Sequence, residues 1–199
     1  LFFSFSTNLT AGSYTVIVKD SAGCQSLATT SPDIVQPPLI EPNITTTLVS
    51  CFGGNNGTAS VTATGGVPGY NFTWLPGGST GTSIQNQAAG TYTVQAQDAN
   101  GCIVKKNYTV AEPTALYLTL SKKATSCYGG SDGSIASLAI GGTAPYMYKW
   151  SPGNVNGQKL SNLPAGTYTV TTTDVKGCTL SSSITVDQPT PLLLTPTSK

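Results

Sequence analysis

The chain has 199 residues, of which only 9% are charged; its formal net charge is +1 and it contains neither His nor Arg. So neutral a surface offers no electrostatic footprint for nucleic acid or anionic lipid. No apolar run approaches the roughly 18 residues of a membrane-spanning helix, so neither nucleic-acid binding nor membrane insertion is expected.

Leu1-Phe2-Phe3 lacks a basic region and a cleavage site and reads as strand or loop rather than a signal peptide. Ala11-Gly12-Ser13-Tyr14-Thr15-Val16 then opens a strand that runs to Lys19, followed by Asp20, two residues, and Gly23-Cys24. The same phrase returns at Ala89 to Val94 with Asp98 and Gly101-Cys102, and again at Ala165 to Val170 with Asp174 and Gly177-Cys178. From Tyr14 to Tyr92 is 78 residues and from Tyr92 to Tyr168 is 76, the size of a small autonomous domain rather than a solenoid turn.

A second phrase precedes the later two copies. Cys51-Phe52-Gly53-Gly54 with Asn56-Gly57, then Gly65-Gly66, then Tyr70, Phe72 and Trp74 at alternate positions, is matched by Cys127-Tyr128-Gly129-Gly130 with Asp132-Gly133, Gly141-Gly142, and Tyr146, Tyr148 and Trp150. A period of two puts each aromatic trio on one face of a strand, where it fills a core. Asn100-Gly101 is a hairpin turn leading into a strand from Ile103 to Val110. No segment sustains a helical period, so the fold is all-β. About seven short strands per unit, with Gly and Pro between them, predict tandem immunoglobulin-like β-sandwiches of about 76 residues. Trp74 and Trp150 end the aromatic strand as on strand C of that fold, and Leu163 to Tyr168 reads as a tyrosine corner opening strand F. Tyr14, Trp74, Tyr92, Trp150 and Tyr168 are therefore the expected structural core. The phase of the repeats places complete sandwiches at 39–112 and 113–188, half of an earlier unit at 1–38, and the start of a further one at 189–199. Gln36-Pro37-Pro38, Glu112-Pro113 and Gln188-Pro189 form short, semi-rigid joints.

All five cysteines fall in the two repeated phrases, and Cys51 to Cys102 and Cys127 to Cys178 are each 51 residues apart. Intra-unit disulfides Cys51–Cys102 and Cys127–Cys178 would each stabilise a small sandwich by roughly 4 kcal/mol, with Cys24 paired outside the chain. Opposing this, the turn after strand A and the turn between strands F and G lie about 20 Å apart in a seven-strand sandwich, so a bond across the joint, such as Cys51 to Cys178, is the alternative. Either pairing implies an oxidising, extracytoplasmic location.

Chemistry has little material. Without His, and with carboxylates at turns and joints such as Asp33, Glu41 and Glu112, no catalytic residues, cofactor or metal site is expected. Asp20, Asp98 and Asp174 invite a calcium reading, yet the positions after them include Val175 and Lys176, so turn formation is the expected role. Tyr108, Tyr117 and Phe52 are the loose candidates for stacking on sugar. Sequons at Asn8, Asn43, Asn56, Asn71 and Asn107 follow from an Asn- and Thr-rich composition, and Asp20-Ser21-Ala22 resembles a bacterial O-glycosylation motif.

The combined pattern resembles the SprB repeat: Cys-x-Gly, Asp-Gly or Asn-Gly, Gly-Gly, Pro145 to Trp150, Leu163 to Val170, and Asp-x-x-Gly-Cys. The second unit departs at Gly69, where Pro is usual, and at Gln87-Ala88 in place of Leu-Pro. The resemblance implies a repeat of very large cell-surface adhesins of gliding Bacteroidetes, exported by type IX secretion and partnered by the gliding machinery and by neighbouring repeats. Three readings remain: a structural stalk with no ligand of its own, a module that binds glycan, surface polysaccharide or another polymer weakly and gains avidity by repetition, or a spacer in another secreted surface protein.

Overall fold

A computed structural model describes residues 8–194; parts of the expected half-unit at 1–38 and of the segment at 189–199 lie outside the described residues. All sixteen elements among the described residues are strands.

The first two, β1 (Thr15–Val16) and β2 (Thr29–Thr30), pair as an antiparallel hairpin extended by bridges Gly12 to Ile34 and Lys19 to Gln25. Its apolar side is unsatisfied: Val16 is 51% exposed, whereas Val94 and Val170 at the same place in the repeat are fully buried.

Seven strands follow from Glu41: β3 (Glu41–Thr47), β4 (Gly57–Thr64), β5 (Asn71–Leu75), β6 (Ser79–Thr80), β7 (Ser83–Gln87), β8 (Gly90–Gln97) and β9 (Ile103–Val110). They form one sheet in the order β3-β4-β7 and a second in the order β6-β5-β8-β9, all pairs antiparallel. A second set repeats the plan: β10 (Tyr117–Lys123), β11 (Gly133–Ile140), β12 (Tyr146–Ser151), β13 (Val155–Asn156), β14 (Lys159–Leu163), β15 (Gly166–Asp174) and β16 (Thr179–Val186). These make sheets β10-β11-β14 and β13-β12-β15-β16. In immunoglobulin terms each set is A-B-E against C′-C-F-G, an immunoglobulin-like sandwich.

The alternation that defines the strands also builds the cores. In β4 the residues Ala59 and Val61 face inward, in β5 Phe72 and Trp74, and in β8 Val94 and Ala96; together with Ile40, Val49, Tyr108 and Val110 they form one buried cluster. Ile135, Trp150, Tyr168, Val170 and Val186 centre the second. Both indoles are fully buried, and each N–H is satisfied internally, Trp74 Nε1 donating to Gly81 O and Trp150 Nε1 to Gly157 O at 2.8 Å. The tyrosine corner occurs three times: the hydroxyl donates to the carbonyl four residues back, Tyr14 to Thr10, Tyr92 to Ala88 and Tyr168 to Pro164. Tyr168 is buried; Tyr92 is half-buried, and Tyr14 is partly exposed on its hairpin. Outward positions carry hydroxyls that bond across the sheet, as in Thr169–Ser183 and Thr171–Ser181, which is how strands so poor in charge present a polar face.

The pairing fixes which loops share an end. Tyr146, at the start of β12, lies opposite Asp174, at the end of β15, and Tyr117, where β10 begins, lies opposite Ile140, where β11 finishes. The chain therefore enters the second sandwich at the end that carries the B-C loop and the F-G turn. The A-B loop sits at the opposite end, where β16 terminates opposite Gly166. The first sandwich has the same arrangement, so its A-B loop faces the F-G turn of the second across Glu112-Pro113.

Candidate functional site

The F-G turn is held by one carboxylate. Asp174 Oδ1 accepts the backbone N–H of Lys176 at 2.8 Å and of Cys178 at 2.9 Å, closing the turn, while Oδ2 accepts Thr143 N–H at 2.8 Å from the B-C loop. Asp98 does the same with Asn100, Cys102 and Val67, and Asp20 bonds Ala22 and Cys24. The repeated Asp is thus a turn-former whose oxygens are engaged by backbone N–H groups. The N–H of Val67 above all holds the Asp98 carboxyl below the usual carboxylate range, against its burial and with help from Cys102 and Asn100. For Asp174 burial is the largest single influence and acts upward, but the backbone donors of Cys178, Thr143, Lys176 and Gly177 together outweigh it and the net shift is downward.

The double glycine serves the same end. Gly142 lies at φ +59°, and a Cβ there would stand 2.7 Å from Asp174 Oδ2; at Gly141 it would stand 2.0 Å from the carbonyl oxygen of Ala115. Gly66 and Gly65 meet Asp98 and Leu39 in the same way. The glycines let the entering chain and the carboxylate close on one loop: Gly142 N–H donates to Thr114 O and Gly66 N–H to Pro38 O.

At the other end the A-B loop is pinned to the exit. Gly54 N–H donates to Cys51 O in a tight turn, and Asn56 Oδ1 accepts Ser50 N–H at 2.8 Å. Asp132 replaces Asn56 in the second sandwich and accepts Ser126 N–H in the same way, so the position needs an acceptor rather than a charge. Val49 N–H donates to Ala111 O, and Gly53 N–H donates to Glu112 Oε2 at 2.8 Å; Thr125 to Asp187 O and Gly129 to Gln188 Oε1 repeat both. At Glu112 and Gln188 the residue before the joint proline thus ties the cysteine loop to the departing strand.

With both loops fixed, the two sandwiches are bonded to each other. Cys51 Sγ and Cys178 Sγ form a disulfide, with Cα atoms 5.7 Å apart and 127 residues between them in sequence. The expected intra-unit pairs are absent: Cys102 and Cys127 are free and exposed, as is Cys24. The reason is the geometry of the sandwich, whose strands of up to nine residues separate the A-B loop from its own F-G turn by far more than a disulfide reaches.

The aromatic candidates for sugar stacking do not gather. Tyr108 is buried against Trp74, edge to face at 5.3 Å, and against Tyr92 at 5.6 Å. Phe52, Tyr117 and Tyr128 are exposed on the loops and edges near the joints. Among the described residues no three His, Cys, Asp or Glu side chains cluster as a metal site would need, and no helix is long and apolar enough to cross a membrane. The part Glu112 and Gln188 play in holding the cysteine loops escapes notice in the sequence, where both read only as residues before a joint proline.

Among solved structures, the chain is similar to the amphioxus IgVJ-C2 molecule, with TM-score 0.35 and 15% identity over 71% of this chain and 99% of that one. It is similar also to the C-terminal 282-residue fragment of intimin bound to the intimin-binding domain of the translocated intimin receptor, with TM-score 0.39, 18% identity and 77% and 64% covered. The N-terminal eight Ig domains of Down syndrome cell adhesion molecule give TM-score 0.42 at 15% identity, covering 90% of this chain and 28% of that one. No curated protein matches. The SprB repeat family model matches residues 43–79 and 121–155, which run from strand A through the cysteine loop and double glycine past the Trp of strand C, one match in each of the two sandwiches.

Proposed function

We propose that this chain is a stalk segment of a large secreted cell-surface adhesin, in which 39–112 and 113–188 are successive beads, 1–38 belongs to an earlier bead and 189–199 leads into the next. The observation that carries the reading is the Cys51–Cys178 disulfide, which crosses the joint and joins the sandwiches at a second point beside the Glu112-Pro113 linker. A part that works by reach gains from a joint that does not hinge, and a disulfide persists in the oxidising surroundings outside the cell. The wider context we propose, a gliding-motility adhesin moved by its machinery after type IX export, rests on the resemblance to the SprB repeat, whose family model matches part of each sandwich. The repeated carboxylates Asp98 and Asp174 serve the fold, closing turns, and Trp74, Trp150 and Tyr168 fill cores, which supports a structural rather than a chemical role.

The test deletes whole beads in frame from the full-length protein. A stalk loses length in proportion and keeps its adhesion per molecule at the tip. A multivalent polysaccharide-binding array loses adhesion steeply with bead number, and that result, or turnover of a substrate by the purified segment, would overturn the proposal.

A further inference from the structure

The two free cysteines of the complete sandwiches occupy the positions that are bonded in the neighbouring copy. Cys127 is the A-B loop cysteine of the second sandwich, the counterpart of Cys51, and Cys102 is the F-G turn cysteine of the first, the counterpart of Cys178. Each sits in a loop built as its bonded counterpart is. The Cys127 loop has the turn Gly130 N–H to Cys127 O, the acceptor Asp132 on Ser126 and the tie from Gly129 to Gln188; the Cys51 loop has Gly54 to Cys51, Asn56 on Ser50 and Gly53 to Glu112. Cys102 N–H donates to Asp98 Oδ1 at 2.9 Å, as Cys178 N–H does to Asp174 Oδ1.

The topology places them at opposite ends of the pair. Cys102 lies at the entry end of the first sandwich, beside an open groove of about 370 Å³ lined by Pro38, Leu39 and Ile103, all exposed. Cys127 lies at the exit end of the second, beside Pro189 and Leu192. Neither can reach the other, and neither can reach the cysteine of its own sandwich.

We propose that Cys127 and Cys102 are linking sites that each take one cysteine from an adjoining copy of the same repeat: Cys127 the F-G turn cysteine of the copy that follows, Cys102 the A-B loop cysteine of the copy that precedes. Cys24, on the F-G type hairpin closed by Asp20, is the same half-site as Cys102. The result is a ladder in which every joint carries one disulfide, offset by one repeat from the pairing that equal spacing within a unit suggests. In each rung two thiols lose two protons and two electrons to form one S–S bond. The acceptor is the disulfide of a thiol-exchange oxidant, which is reduced to two thiols. The proposal concerns connectivity and stands whether the array serves as a stalk or as a binding surface.

The test duplicates residues 113–188 in tandem within the full chain, so that a second copy, marked by Tyr128→Phe to distinguish its Cys127 peptide by mass, follows Gln188. The protein is refolded with oxidised and reduced glutathione and mapped by non-reducing peptide mass spectrometry with alkylation of remaining thiols. The expected map retains Cys51–Cys178 and adds a bond from Cys127 of the first copy to Cys178 of the added copy. The added copy's own Cys127 stays alkylated, so free thiols number three before and after duplication. Alkylated Cys127 in the first copy despite an intact Cys51–Cys178 bond, or a bond from Cys127 to Cys178 within one copy, would overturn the ladder. A variant carrying Cys127→Ser in the first copy separates pairing from misfolding: it folds, retains Cys51–Cys178, and leaves Cys178 of the added copy as a thiol.

Discussion

Replacing Cys51 and Cys178 by Ser, singly and together, tests the joint most directly. The bond spans 127 residues of sequence, but each sandwich unfolds against a folded neighbour, so the relevant loop is the part of the path within one unit. For the first sandwich that part runs from Cys51 to the joint at Glu112 and for the second from Pro113 to Cys178, roughly 60 residues in either case. In the chain-entropy treatment a loop of that length stabilises by about 4 kcal/mol, an upper figure because the uncrosslinked joint retains some freedom in the folded state. For a domain of this size that upper figure corresponds to a fall in Tm on the order of 15 to 30 °C. Urea and thermal denaturation under non-reducing conditions should therefore show Cys51→Ser and Cys178→Ser destabilising both sandwiches by similar amounts, and the double variant no more than either single one. Cys102→Ser and Cys127→Ser should leave stability unchanged, since both are exposed thiols in this chain. A loss with Cys102→Ser equal to that with Cys51→Ser would establish intra-unit pairing and refute the reasoning.

Other expectations concern the turns and cores. The Asp98 and Asp174 carboxyls titrate below an unfolded Asp, near 3.9, so their contribution is complete above about pH 5 and is lost as the pH falls through the lower folded values. Melting followed from pH 7 to pH 2 should show that acid limb, and Asp98→Asn with Asp174→Asn should melt lower at pH 7 and show a flatter limb; an unchanged acid profile would remove these groups from the account. Gly66→Ala puts a Cβ 2.7 Å from Asp98 Oδ2 at φ +60° and should cost more than about 2 kcal/mol in urea denaturation, while Gly77→Ala, strained at φ +108° but with nothing within 4 Å, should cost less. Tyr168→Phe removes the hydroxyl bonded to Pro164 O and should cost about 1 kcal/mol, whereas Tyr108→Phe removes a buried hydroxyl with no partner among the described residues and should be neutral or stabilising. A larger loss at Tyr108 than at Tyr168 in chemical denaturation would contradict the bonding described.

The strands were legible because their residues obey a period of two and their turns are spelled in Gly, Asn and Asp. The strand expected from Ile103 to Val110 is β9 with the same bounds. Trp74 and Trp150 could be placed in cores from alternation alone, because a large apolar residue on the inward side of a strand has nowhere else to go. Tyr108 is harder to place: alternation sets it on one face with Val104 and Val110, but Lys105, Lys106 and Asn107 make β9 look exposed, and the pairing opposite Tyr92 completes the inward face. The disulfide was harder. Equal spacing of 51 residues within each unit draws attention to the intra-unit pair, although spacing along a chain says nothing about which end of a sandwich a loop occupies. Strand direction does, and the length of the strands was already the objection. The tie from Glu112 and Gln188 to the cysteine loops has no signature beyond position, since either an acid or an amide can accept the same N–H.

The Cys51–Cys178 bond also changes how the pair carries tension. The covalent route from Leu39 to Gln188 no longer follows the whole backbone: it runs down β3 to Cys51, crosses the sulfurs, and continues along β16 from Cys178, about 24 residues in place of about 150. Pulled straight, that route measures at most about 85 Å, and because most of it is already extended β-strand, little slack is released when a sandwich gives way. Force enters one edge strand of the first unit and leaves by the last strand of the second, so the remaining strands hang outside the loaded path as a closed loop. Single-molecule extension from residue 39 to residue 188 should accordingly lengthen by only a few nanometres while the bond is oxidised, and by tens of nanometres once it is reduced.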